Sequence, residues 1–386
     1  MAEPLKNHFG ADVPTTIAAM LQAAHPPFPT RDFVRDCLTG LDALELMPRG
    51  RHIAQALHKH LPAHFPHAVD ILVASLQQPV DRSAAGGMAN FIFLPHCFFV
   101  ADHGLHHFDD AMRAQHALTQ RFTAEFSIRP FLIHQPQRTL QQLRLWATDP
   151  SEHVRRLVSE GSRPRLPWTQ RLPAFQADPA PTLALLELLK DDPSLYVRRS
   201  VANHLNDIGK DNPQALAEVA ARWLQGASPE RAWIVRHALR WAVKQGQPWA
   251  LALMGFGGKA QVQIRKTHIG PRRVSMGSSV DVSFEVHNTG RRRQALLVDF
   301  QVHYVKANGS TRAKVFKLQS LELGPGDDVT LRKTVSLRNL TTRQHHPGRH
   351  RLEALVNGAA VPLGDFELLP APDKPATARR HPTSRQ

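Results

Sequence analysis

Hydrophobic positions follow one period up to residue 258 and another after residue 259. In the first stretch apolar residues recur every three or four positions, which places them on one face of a helix. Ile17, Met20 and Leu21 mark such a face within residues 15–23, and Phe33, Leu38, Leu41 and Leu44 extend the pattern until Pro48 and Gly50 break it. Residues 51–61 and 68–76 are short helical candidates between prolines, and strand-like alternation is nearly absent. After residue 259 the period becomes two. Val280, Val282, Phe284 and Val286 alternate with polar residues, as do Leu296, Val298, Phe300, Val302 and Tyr304. Asn308-Gly309 and Asn357-Gly358 are hairpin signals, and Gly324-Pro325-Gly326-Asp327 is a further turn. Six or seven short strands follow, in residues 280–286, 296–304, 313–318, 329–335, 351–356 and 366–369. They predict an immunoglobulin-like sandwich, although no cysteine pair lies within it.

An internal repeat organises the helical part. Asp149-Pro150-Ser151, Val154-Arg155-Arg156 and Val158 recur as Asp192-Pro193-Ser194, Val197-Arg198-Arg199 and Val201, 43 residues later. A weaker copy runs through Ser228-Pro229 and Val235-Arg236, 38 residues further on. These offsets approach the period of about 40–47 residues of HEAT-type repeats. Asp or Ser before proline predicts an N-cap with proline at the first helical position. Each valine and the residue four later should face the neighbouring helix. The predicted architecture is mainly α: a HEAT-like helical-repeat solenoid over residues 1–254, joined through the glycines of 254–258 to an all-β immunoglobulin-like sandwich over 259–370, with a disordered tail at 371–386.

Charge changes the picture next. Of 386 residues, 48 are Lys or Arg and 33 Asp or Glu, a net of +15. The helical part carries +3, the sandwich +9 and the tail +3, so most of the excess sits on an attached basic module. That balance points to a polyanionic partner such as nucleic acid, with mere solubility as the plainer reading. The longest apolar stretch, residues 91–100, is broken by Pro95 and His96 and falls far short of the ~20 residues that span a bilayer, so no membrane is expected. No secretory signal is visible in residues 1–9, and the two cysteines, Cys37 and Cys97, make no disulfide framework, which favours the cytoplasm.

Candidate chemistry lies in the helices. Cys97, His103, His106 and His107 are metal-ligand types within eleven residues, but their spacing fits no tetrahedral zinc pattern, and no cofactor or metal is expected. A metal hydrolase built on them stays as a third reading. Gly86-Gly87 is not followed by Gly-Lys-Ser/Thr, and no Gly-x-Ser-x-Gly elbow is present. The first repeat helix should stop after Glu160, because Gly161, Pro164 and Pro167 follow where the second copy continues through Ala202 to Asp207. An acid, Arg163, Arg165 and Trp168 thereby sit on a stiff loop at a repeat edge, for structural or functional ends. Glu125 lies in a mostly apolar stretch. It is open to three readings: an ion pair with Arg129 four residues on, a solvated side chain, or a functional carboxylate.

Ala124-Glu125-Phe126-x-Ile128-Arg129-Pro130-Phe131, the string Ser159 to Trp168, and Val197 through Asp207-Ile208 together resemble the AlkC branch of the AlkC/AlkD alkylpurine DNA glycosylases. The likeness covers roughly residues 1–250, and Arg163-Pro164-Arg165-Leu166-Pro167-Trp168 is its most specific part. The basic sandwich resembles the immunoglobulin-like extension of some AlkC members. The resemblance implies a monomeric base-excision repair enzyme acting on double-stranded DNA containing alkylated bases. It would hydrolyse the N-glycosidic bond of cationic N3-alkylated purines, chiefly 3-methyladenine, without flipping the damaged base. It also implies Glu125 and Asp207 as the carboxylates facing the lesion, with Trp168 against the sugar or base. Glu160 is either catalytic or an ion-pair partner of Arg163. Arg163 and Arg165 position DNA or hold a carboxylate. Arg155, Arg156, Arg198 and Arg199 divide between phosphate and the neighbouring helix. Arg291, Arg292 and Arg293, on a loop of the sandwich, grip phosphate or serve only as surface charge. The alternative is a non-catalytic HEAT-repeat scaffold that binds nucleic acid.

Overall fold

The computed structural model describes residues 4–78, 83–339 and 343–370. The tail expected at 371–386 lies outside them. Among the described residues sixteen α-helices precede eight β-strands, so the chain is mainly α with an all-β C-terminal part. It divides into two compact units, residues 1–239 and 240–386. The division falls ahead of the glycine stretch, and the short helices Arg240–Lys244 and Pro248–Leu253 belong to the second unit. There Gly246 and Gly358, both at positive φ, lie so close that a Cβ on Gly246 would stand 3.3 Å from the Gly358 carbonyl oxygen.

In the first unit, the repeat helices are Glu152–Gly161, Leu195–Asp211 and Pro229–Ala238. Val154, Leu157 and Val158 are fully buried, as are Val197, Val201 and Ile208, as their spacing requires. Each such side chain stabilises the stack by roughly 1.5–3 kcal/mol. The starts of the helices correct one expectation. Proline occupies the first helical position only in the third copy, where Ser228 caps through Arg231 N at 3.1 Å. In the first two copies the serine is the N-cap and proline precedes it. Asp149 and Asp192 instead accept from the backbone N–H two residues on, at 2.8 and 2.9 Å, and turn the chain into the helix. The first helix does stop at Gly161, whereas its counterpart continues to Asp211. Both helices rely on glycine for close approach. A Cβ on Gly161 would stand 2.6 Å from Ile128 Cγ2, and one on Gly209 2.3 Å from Leu216 Cδ2.

The second unit holds β1 (Val262–Gly270), β2 (Arg273–Ser275), β3 (Ser279–Asn288), β4 (Gln294–Val305), β5 (Thr311–Leu323), β6 (Asp328–Ser336), β7 (Gly348–Val356) and β8 (Ala359–Leu369). Two sheets form, β1-β3-β6 and β2-β8-β7-β4-β5, antiparallel except for the short β2–β8 pair. Val280, Val282, Phe284 and Val286 face Leu296, Val298, Phe300 and Val302 across a buried core. At the β7–β8 turn both Asn357 (φ 47) and Gly358 (φ 79) take the left-handed conformation that a two-residue hairpin demands. The pattern of period two misses β1. Its pairing with β3 shifts between Arg265 and His268, with Lys266 at φ 48, so Val262 and Ile264 fall out of phase with Ile269.

Candidate active site

Three distant stretches meet in one buried line of charges. Glu125 lies just ahead of the helix Ile128–His134, Glu160 ends the first repeat helix, and Asp207 is in the last turns of Leu195–Asp211. Arg156 Nη1 contacts Glu125 Oε2 at 2.8 Å, and its Nη2 lies 3.6 Å from Glu160 Oε1. Arg163 Nη1 donates to Glu160 Oε1 at 2.7 Å, while its Nε and Nη2 donate to Asp207 Oδ2 at 2.9 and 2.7 Å. Lys210 closes the series on Asp207 Oδ1 at 2.8 Å. Acid and base thus alternate from Glu125 to Lys210, three of each. Neutral donors complete it. Thr123 Oγ1 donates to Glu125 at 2.9 Å, Ser200 Oγ donates to Glu160 Oε2 at 2.6 Å, and the Arg156 guanidinium lies 5.2 Å from the Tyr196 ring centroid.

The electrostatics follow from this packing. Burial alone would raise the Glu160 carboxyl, but Arg156, Arg163 and Ser200 outweigh it and hold the group below its ordinary range. Burial likewise opposes the charge on Arg156 and Arg163, and their carboxylates overcome it. Behind the line stands His204. Its Nδ1 donates to the Ser159 carbonyl at 2.9 Å, and burial, aided by Arg163, lowers its pKa to about 3. It is therefore a neutral tie between the two repeat helices.

Arg129 takes a different partner from the one its spacing suggests. It does not pair with Glu125. Its Nη1 donates to the carbonyls of Gly161 and Arg163 at 3.0 and 2.9 Å, and its Nε to that of Gln170 at 2.6 Å. This fully buried guanidinium therefore pins the loop that carries Arg163 and Trp168, which Leu172 N closes on the Pro164 carbonyl at 3.2 Å. Burial lowers the pKa of Arg129 to about 10. Trp168 itself is held out. It is 61% exposed, its φ is +63°, and it edges a cavity of about 360 Å³ with Phe98, Phe126 and Arg129. A left-handed tryptophan costs about 1–2 kcal/mol, which the anchoring of the loop sustains.

The remaining arginines separate cleanly. Arg155 binds both oxygens of Asp192, and its Nη1 caps the carbonyls of Asp149 and Pro150 at 2.8 and 3.0 Å. Arg198, its repeat equivalent, caps those of Asp192 and Pro193 at 2.9 and 2.7 Å. Both act as braces within the repeats, on the neighbouring-helix side of the division expected for the four repeat arginines. Arg163 and Arg165 hold carboxylates, the second through both oxygens of Asp211. Arg156 is half-buried in the charge line. Arg199 is exposed, as are Arg291, Arg292 and Arg293 between β3 and β4, where Arg293 lies 3.6 Å from Glu322. Lys210, Ser200, Thr123 and the loop-pinning role of Arg129 escape a reading of the sequence, and only Lys210, three residues after Asp207, leaves a local signal.

The cysteine–histidine cluster does not converge. Cys97 donates to the Thr123 carbonyl at 3.0 Å, His103 stacks on His58 at 3.7 Å, and His107 stacks on Phe65 at 5.2 Å. Among the described residues no group of three or more such ligands is arranged to hold a metal ion. Nor is any described helix long and apolar enough to cross a membrane.

Residues 263–370 match a family model described as the C-terminal Ig-like domain of the uncharacterised protein YhaZ. The uncharacterized protein YhaZ of Bacillus subtilis (strain 168) is 35% identical over 365 residues, which cover 94% of this chain and 99% of that protein. The structure of Pseudomonas fluorescens alkylpurine DNA glycosylase AlkC, bound to DNA containing an abasic site analog, is 40% identical. The match has a TM-score of 0.89 and covers 95% of this chain and 100% of that one.

Proposed function

The chain belongs to the AlkC branch of the AlkC/AlkD alkylpurine DNA glycosylase family, and on that footing we propose that it is a DNA glycosylase removing alkylated purines from duplex DNA. Its substrates are cationic N3-alkylated purines, foremost 3-methyladenine, and it acts as a cytoplasmic monomer. Alkylation at N3 places a positive charge on the base, which then leaves without being protonated. What remains for the protein is to stabilise positive charge growing on the sugar and to aim a water at it. Carboxylates do both. In this reading Glu125 and Asp207 face the lesion, and the indole of Trp168 packs against the sugar or the cationic base. Glu160 sits between Arg156 and Arg163 and acts as the spacer that fixes both arginines, hence both outer carboxylates. In this reading the base departs without being flipped, so no pocket for an extruded base is required.

The observation that carries the proposal is the meeting of Glu125, Glu160 and Asp207 in one arginine-linked line, beside a loop that holds a tryptophan outward. Mass spectrometry of bases freed from alkylated duplex DNA tests it. The wild-type chain should release 3-methyladenine, while Glu125→Gln and Asp207→Asn should lose release by about a hundredfold or more and keep DNA affinity. Duplex binding with no released base in the wild type would leave a nucleic-acid scaffold.

A further inference from the structure

The second unit contains a recess of about 830 Å³ that no part of the proposed reaction uses. All its lining residues belong to that unit. Five are cations: Lys244 from the helix Arg240–Lys244, Lys306 from the β4–β5 turn, Arg312 and Lys314 from β5, and Arg343 ahead of β7. The acid among the lining residues is Asp299, a largely buried side chain that accepts from Leu318 N at 3.2 Å. None of the five cations is ion-paired among the described residues. This contrasts with the charge line of the first unit, where every cation has a carboxylate. Two of the five lie over aromatic faces instead. Arg343 is 5.1 Å from the Tyr304 ring centroid, and Lys314 is 5.4 Å from that of Phe316. Trp241 and Gln301 add an aromatic face and a polar group to the wall.

Like charges gathered in a concavity repel one another and concentrate their field there, so such a recess favours a multiply charged anion. Arginine forks and lysine points match phosphate oxygens, and the volume lies in the range of pockets that hold ligands the size of a nucleotide. We propose that this recess is a phosphate-ester binding site, separate from the Glu125–Asp207 line, with Arg312 and Arg343 as its principal ligands. Its occupant is a free nucleotide, and the phosphates of a nucleic acid strand are the competing outcome of the test.

Titration calorimetry on the full chain would use inorganic triphosphate and adenosine triphosphate, and the salt dependence of affinity for an undamaged duplex would be measured alongside. If the source is free, either small probe binds one to one, and Arg312→Ala/Arg343→Ala weakens it by about tenfold or more. If the source is a strand, the small probes do not bind, and the slope of log K against log salt falls by about 1.8 in the double variant. Lys244→Ala/Lys306→Ala, on other walls, gives the same readings should the arginine pair unfold the sandwich. Small-probe binding that survives both variants, or no small-probe binding whatever the duplex slope does, overturns the proposal. The site does not rest on the glycosylase reading, because binding of the small probes is measured without alkylated DNA and base release is scored separately.

Discussion

Arg163 links two carboxylates that come from neighbouring repeat helices, so one side chain holds much of the site's electrostatics. Removing it strands Glu160 and Asp207 as buried, partly unpaired charges. Arg163→Ala should therefore lower unfolding stability by about 3–5 kcal/mol in denaturant titration. Arg199→Ala, at an exposed position, should stay within about 0.5 kcal/mol of the wild type. Trp168 permits the opposite separation. Its left-handed backbone suits glycine, so Trp168→Gly should match or exceed wild-type stability, by up to about 1 kcal/mol, while base release falls. A stable variant with full release would remove the indole from the reaction. At this scale the sequence identifies Glu125, Glu160 and Asp207 as residues to watch but does not find the partner of Glu125: of its three readings the ion pair names Arg129, where the structure has Arg156. Spacing pairs Glu125 with Arg129 because it sees only the next turn of helix. Arg129 in fact binds carbonyls 32, 34 and 41 residues away, and a loop's return path leaves no local trace.

The elements were more readable than their ends. The 43-residue offset gives two equivalent helices because the same valines must be buried in each, and Gly161 with the prolines after it stops only one of them. That premature stop produces the Trp168 loop. It also leaves Gly161 touching Ile128, at the start of the helix that follows Glu125. Gly161→Ala should push these segments apart by a few tenths of an ångström or more and stretch the Glu125–Arg156–Glu160 contacts. Base release should then fall more than the thermal midpoint does, and equal losses would mean general unfolding instead. The brace formed by Arg155 and Arg198 was readable only as a basic pair. Recognising it requires knowing that Asp-Pro bends its carbonyls toward the arginine five or six residues on. Strand β1 was hidden for a comparable reason, since its irregular residue at Lys266 breaks the alternation that identifies its neighbours.

Acid stability and salt response belong to the whole molecule. His96 is fully buried with neither ring nitrogen bonded, and burial lowers its pKa to about 4, while that of His204 is lowered to about 3. Unfolded, both titrate near 6.5, so on acidification the unfolded chain takes up protons that the native chain refuses. The contribution is intact above about pH 6.5 and is lost as pH falls from there toward 4 and then 3. At pH 5 the loss is of the order of 2 kcal/mol for each histidine, and the thermal midpoint should drop between pH 7 and 5, less so in His96→Gln. If Arg291, Arg292 and Arg293 reach phosphate, replacing all three with alanine should reduce the salt slope of duplex binding by about 2.7, whereas an unchanged slope would make them ordinary surface charge. The alternation from Glu125 to Lys210 has its own bearing on such encounters. Since the six charges sum to zero, on the proposed function the carboxylates would not drive off a phosphate polymer laid beside them. An incoming cationic purine would then bring a positive charge of its own to the outer carboxylates, and it would be distinguished from a neutral, undamaged base before any bond breaks.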